Sequence, residues 1–134
     1  MFGQKNWLVI LLKPHELEIF GHDAKSSMIL TIPTTIINNL EVLDRDELYA
    51  LIASWAKART YQATDIVWLL SPSVVFEQIF SDGDKDKWDT LTLQFLDAVP
   101  FEETLSHIYS PSGGRAVVAT NQDLINALGQ AFST

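Results

Sequence analysis

Six apolar residues, Trp7 to Leu12, run without a break and stop at Lys13-Pro14-His15. A short, continuous apolar run predicts a buried strand. Proline has no amide to give a ladder, so it marks the turn that ends the strand. Glu16, Leu17, Glu18 and Ile19 then alternate polar with apolar, the period of a half-buried strand reaching Phe20. A second turn over Gly21 to Ser26 and a third strand from Ser27 to Ile32 complete an antiparallel meander. Pro33 ends it, and Thr34 to Leu40 carry no pattern that assigns them.

The next segments read as an alternation of helices and strands. Asp44 predicts a helix N-cap, with Glu47 placed to reach back to it. Leu48, Leu51, Ile52 and Trp55 follow at helical spacing, so a helix is expected from Arg45 to Arg59. Asp65 to Leu70 is apolar and rich in strand formers, Ser71-Pro72-Ser73 breaks it, and Val74 to Phe80 resumes as a strand. After the loop Ser81 to Asp84, Trp88, Leu91, Phe95 and Val99 mark a second helix. Pro100 ends that helix, because the residue before proline is pushed out of the α region. Glu103 to Ser110 and Arg115 to Thr120 predict a hairpin around Pro111-Ser112-Gly113-Gly114. Thr120 to Asp123 is a capping signal for a last helix with Leu124, Ile125, Leu128 and Phe132. That helix runs to the end of the sequence without a cap, which fits a piece cut from a longer protein.

At 134 residues and 47% apolar content the chain is expected to be one domain with an ordinary core. It has no cysteine, which removes disulfides, thiolate metal sites and cysteine nucleophiles. No apolar stretch approaches the ~20 residues of a membrane span, and nothing resembles an export signal. The net charge is −8. Nucleic-acid binding needs clustered Lys and Arg to neutralise phosphates; here the nine basic residues are scattered. Residues 61–100 hold seven acidic side chains against two basic ones. Asp82, Asp84, Asp86 and Asp89 form the densest part, read either as a docking face for a basic partner or as a solvated face that favours solubility.

Motifs for chemistry are absent. The four aspartates lack the glycine and glutamate that a calcium loop needs at its sixth and twelfth positions. His15, His22 and His107 have no metal-site spacing, and Ser71, Ser73 and Ser112 have no nucleophile-elbow setting. Glu102 and Glu103 are adjacent and do not converge on one substrate. No phosphate-binding glycine motif occurs. Trp55, Trp88 and Phe95 sit at core spacing and not on a stacking platform.

The order of elements, with the Ser71-Pro72-Ser73 break, Val99-Pro100-Phe101-Glu102-Glu103, and Arg115 to Asn121 leading into a helix, resembles the N-terminal half of PilM-type actin-like proteins of type IV pilus machines. The cytoplasmic domain of GspL, from type II secretion, is similar in outline, and FtsA is a more distant relative of the kind. The resemblance implies a mixed α/β (α+β) fold: a three-strand antiparallel meander in an actin-like, ribonuclease H-like half, with an inserted strand–helix–strand–strand subdomain. Residues 1–40 and 100–134 would form the core sheet and 41–99 the insertion. The family's first hairpin carries an Asp and a Gly followed by hydroxyl residues that hold nucleotide phosphates. Here Leu11 and Lys13 fall on the Asp and Gly positions and Pro14-His15-Glu16 on the hydroxyl run. The expectation is therefore a non-catalytic cytoplasmic scaffold with no cofactor, peripheral to the inner membrane. Its partners would be inner-membrane pilus or secretion components and the motor ATPase. A nucleotide-binding actin-like ATPase fragment and an α/β enzyme with an unrecognised site are the alternatives.

Overall fold

A computed structural model describes residues 7–21, 27–58 and 65–133. The turn expected at His22 to Ser26, His22 itself and the helix end at Arg59 lie outside the described residues. Contacts divide the chain into two compact units, residues 1–74 with 124–134, and residues 75–123.

In the first unit, β1 (Trp7–Leu12), β2 (Glu16–Gly21) and β3 (Ser27–Thr31) form the antiparallel meander, with Ile10 opposite Ile19 and Leu17 opposite Leu30. Ile36 and Ile37 both donate to the Pro33 carbonyl, which turns the chain into a two-residue-looped hairpin of β4 (Ile37–Asn38) and β5 (Glu41–Val42). Asn39 and Leu40 make the loop with φ of 51° and 64°. Then α1 (Arg45–Ala58) opens on Asp44, whose Oδ1 accepts the Glu47 amide at 3.0 Å as the sequence predicts. The Asp44 amide itself turns to the Ile36 carbonyl.

The helix is the crossover that lets β6 (Asp65–Leu70) pair in parallel with β1, Val9 opposite Val67 and Leu11 opposite Leu69. The sheet order is β3-β2-β1-β6. Its inner face carries Leu8, Ile10, Leu12, Leu17 and Ile19, all buried. Leu48, Ile52 and Trp55 of α1 and Leu124, Ala127, Leu128 and Ala131 of α3 (Gln122–Ser133) complete this core. Phe132 sits edge-on to both Trp55 and Trp68, at 6.2 and 5.8 Å between ring centres, and Tyr49 donates to Gln130 at 2.8 Å.

The second unit is a strand–helix–strand–strand module. Pro72–Val74 is a 3-10 turn, so the strand expected from Val74 begins two residues later as β7 (Phe76–Ser81). Buried Val74 stays with the first unit. Asp82–Lys87 forms a kinked 3-10 stretch leading into α2 (Trp88–Ala98); Val99 is already extended before Pro100. β8 (Thr104–Tyr109) and β9 (Gly114–Asn121) form the expected hairpin, closed by the Gly114 amide on the Pro111 carbonyl with Gly113 at φ 76°. The sheet order is β7-β9-β8, all antiparallel. The insertion expected at 41–99 is drawn by contacts at 75–123: β6 belongs with β1, and β8 and β9 pair with β7. Asn121 Oδ1 takes the Asp123 amide at 3.0 Å and caps α3.

Two substitutions test these local rules. A Cβ on Gly114 would stand 2.5 Å from the Phe80 carbonyl oxygen, so Gly114→Ala is expected to cost about 1–3 kcal/mol by overpacking and to lower the denaturant midpoint. Leucine in the left-handed region costs about 1 kcal/mol, and Asn-Gly suits a two-residue hairpin loop. Leu40→Gly is therefore expected to raise that midpoint.

Candidate functional site

Two places gather polar side chains. The first is the bend between β1 and β2. The Lys13 amide donates to the Glu16 carbonyl at 3.0 Å, and Pro14 has no amide. The His15 carbonyl takes the Ile32 amide at 2.8 Å, and the Leu12 carbonyl takes the Ser71 amide at 3.0 Å. The bend is thus anchored by the residue after β3 on one side and by the residue after β6 on the other. An open recess of about 410 Å³ lies over it, with Thr31, Ser71 and Ser73 on its far wall. The Ser71 and Ser73 hydroxyls hydrogen-bond each other, and Ser71 Oγ also accepts the Ser73 amide. In the sequence these serines mark a strand break and have no nucleophile-elbow setting. The parallel β1–β6 pairing is what carries them to the bend.

Lys13 Nζ reaches Glu18 at 3.1 Å and Glu16 at 4.0 Å. Ser27 Oγ donates to the same Glu18 at 3.1 Å. The Lys13 contact first, and Ser27 second, hold the Glu18 carboxyl below the usual carboxylate range. Leu11 lies half-buried on the sheet's outer face, opposite Glu18 on one side and Leu69 on the other. It offers carbon where a metal would need oxygen.

The second place is the acidic segment. Asp82, Asp84, Asp86 and Asp89 are all exposed, and they do not act as one group. Asp89 receives Arg115 at 2.9 Å across from β9, while the Arg115 guanidinium lies 5.3 Å from the Trp88 ring centre. The Trp88 indole N–H donates to the Ser81 carbonyl at 2.8 Å, and Ser81 Oγ donates to Asp84 at 3.3 Å. Asp89 and Asp84 therefore serve contacts within their own unit, and Asp82 and Asp86 stand exposed at its surface. Among the described residues no three His, Asp or Glu side chains gather to hold a metal ion. His15 and His107 are exposed and lie in different units.

On the sheet of the second unit, Tyr109 of β8 donates to Glu77 of β7 across β9, at 2.7 Å. That bond raises the tyrosine above its usual range, since ionising the phenol would set two negative charges together. His107 stacks on the Tyr109 ring at 6.4 Å and 14°. The Tyr109–Glu77 contact is not visible before the register is known.

No protein-family model matches the chain, and no curated protein matches its sequence. Solved structures do. A chain of the structure described as the "PilM-PilN type IV pilus biogenesis complex" is similar over 98% of this chain and 45% of its own length, with a TM-score of 0.63 and 13% identity. The cytoplasmic domain of EpsL, an inner membrane component of the type II secretion system of Vibrio cholerae, is similar over 96% of this chain and 52% of its own, with a TM-score of 0.48 and 13% identity. The chain thus spans about half the length of the structures it matches. Among the described residues no helix is long and apolar enough to cross a membrane.

Two titrations follow from the geometry. A depressed folded-state carboxyl stabilises the fold above its ordinary pKa and loses that contribution as pH falls through the depressed value. Lys13→Ala is expected to move the NMR titration midpoint of Glu18 upward. A raised folded-state phenol stabilises below its ordinary pKa and loses this as pH rises through the raised value. Glu77→Gln is expected to move the ultraviolet titration of Tyr109 downward.

The likeness to the pilus-complex chain is one of fold, and it extends over nearly all of this chain, its meander-based unit and its strand–helix–strand–strand unit alike.

Proposed function

We propose that this chain is a non-catalytic docking domain of an inner-membrane assembly platform of the type IV pilus or type II secretion kind, held on the cytoplasmic side through its partners. The observation that carries this reading is the β1–β2 bend. A phosphate cradle needs open backbone amides and a charge that is available to it. Here the Lys13 amide is engaged by Glu16, Pro14 has none, and the Lys13 ammonium lies between two carboxylates. The shared fold supports the pilus setting, and the net charge of −8 favours basic protein partners over nucleic acid.

The partners in this reading are inner-membrane assembly components and the motor ATPase of such a machine. Asp82 and Asp86 have the part of steering a basic surface toward the domain, while Asp84 and Asp89 serve the local structure.

The test is titration calorimetry of this chain with the cytoplasmic segments of inner-membrane pilus or secretion proteins from the same source, beside a melting scan with and without Mg-ATP. Saturable binding to one of these segments and an unchanged melting temperature are expected. A rise of the melting temperature with ATP concentration would establish a nucleotide-binding fragment instead, because a ligand of the folded form stabilises it by mass action. Asp82→Asn with Asp86→Asn is expected to slow association at low salt and to have little effect at high salt.

A further inference from the structure

The second unit is described at every residue, and it ends in an unguarded edge. β8 is a six-residue edge strand, TLSHIY, exposed at five of its six positions. Leu105, Ile108 and Tyr109 keep 42, 46 and 40% of their surface. Proteins blunt such edges with lysine, proline or a bulge. β8 has no lysine and no proline, and its register against β9 runs from Thr104–Asn121 to Tyr109–Ala116 without a break. The other edge, β7, is also exposed at five of its six positions, Phe76 and Ile79 included, but its end is closed: the Ser81 carbonyl is taken by the Trp88 indole, and the 3-10 stretch Asp82–Lys87 follows directly.

Charge says what the edge would accept. Residues 75–123 hold nine acidic side chains and three basic ones, so this unit carries −6 of the chain's −8. Of the three, Arg115 is engaged by Asp89. Glu102 and Glu103 stand exposed immediately before β8. A second copy of the same acidic unit would meet like charge there, whereas a cationic segment meets opposite charge.

We infer that β8 is a strand-addition edge for a segment of another protein, one that alternates apolar residues and carries Lys or Arg at the end lying beside Glu102 and Glu103. Main-chain bonds to β8 give the affinity. Leu105 and the stacked His107–Tyr109 pair on one face, and Ile108 on the other, meet its alternate side chains. This rests on the docking reading above and names the surface that it uses.

The probe is a set of short overlapping synthetic peptides tiling the cytoplasmic segments of the inner-membrane assembly proteins, with the intact segments measured alongside. Binding should be confined to peptides of positive charge and alternating pattern, and should slow amide exchange over residues 104–109. Leu105→Lys with Ile108→Lys, checked for an unchanged melting temperature, should weaken it about tenfold. Glu102→Gln with Glu103→Gln should weaken it less and flatten its salt dependence. The inference falls if a bound peptide leaves exchange in β8 unchanged, if neutral peptides bind equally well, or if light scattering shows a dimer that the lysine pair disperses. It also falls, with the docking reading intact, if intact segments bind and no β8 protection appears. Failure of every segment and peptide overturns both.

Discussion

The parallel pairing of β1 with β6 is the constraint on which the first unit depends. Antiparallel neighbours can be joined by two residues, but parallel ones need a crossover, and α1 supplies it. Once β6 lies beside β1, the inner face is continuous from β3 to β6, and Trp68 enters it next to Phe132 of α3. The same pairing brings Ser71 to the Leu12 carbonyl and so ties the β1–β2 bend to a residue far along the sequence. A hairpin bend held only by its own strands could open to a ligand by local fraying; this one is fixed by the residue after β3 and by the residue after β6.

The two units divide the chemistry unevenly. The first has a conventional core, and Leu8, Ile10, Leu17, Ile19, Leu48, Ile52 and Leu128 are almost wholly removed from water. The second is a thin sheet. Most of its buried side chains lie on the central strand β9, such as Ala116, Val117 and Ala119, and α2 buries only Thr92. Its cohesion relies more on polar and ring contacts: Arg115 with Asp89 and Trp88, Tyr109 with Glu77, and Phe76 with Phe101 at 5.7 Å. Exposed ion pairs contribute little each. Such a unit gains more from covering its apolar strand edge than a well-buried one would.

Most local elements were legible in the sequence because their signals are local. The run Trp7 to Leu12, the proline at 14, the Asp44 cap and the stripe Leu48–Ile52–Trp55 act within one or two turns of chain. The short hairpin at residues 37–42 was not legible, because Asn39-Leu40 lacks the glycine that usually announces a two-residue loop. β7 starts two residues later than the apolar pattern predicts, because Val74 looks like a strand residue while Pro72 and the Ser71 hydroxyl fold it into a 3-10 turn. Register was illegible for a different reason. Nothing along the chain says that Arg115 faces Asp89 or that Glu77 meets Tyr109; both depend on which strand lies between.

The acidic segment shows why composition alone could not define a site. Four aspartates within eight residues look like one feature in sequence. In three dimensions the start of α2 separates their roles, since Asp89 faces β9 while Asp84 accepts from Ser81. A carboxylate already paired with arginine attracts a second cation weakly, whereas an exposed unpaired one acts over about a Debye length. Charge therefore sets the kind of partner that approaches this unit, and it does not by itself fix where that partner sits. Position requires a surface that loses little by being covered and gains hydrogen bonds when it is. In this unit an edge strand meets that requirement better than a cluster of solvated carboxylates, because its outward amides and carbonyls have one geometry and its side chains one spacing.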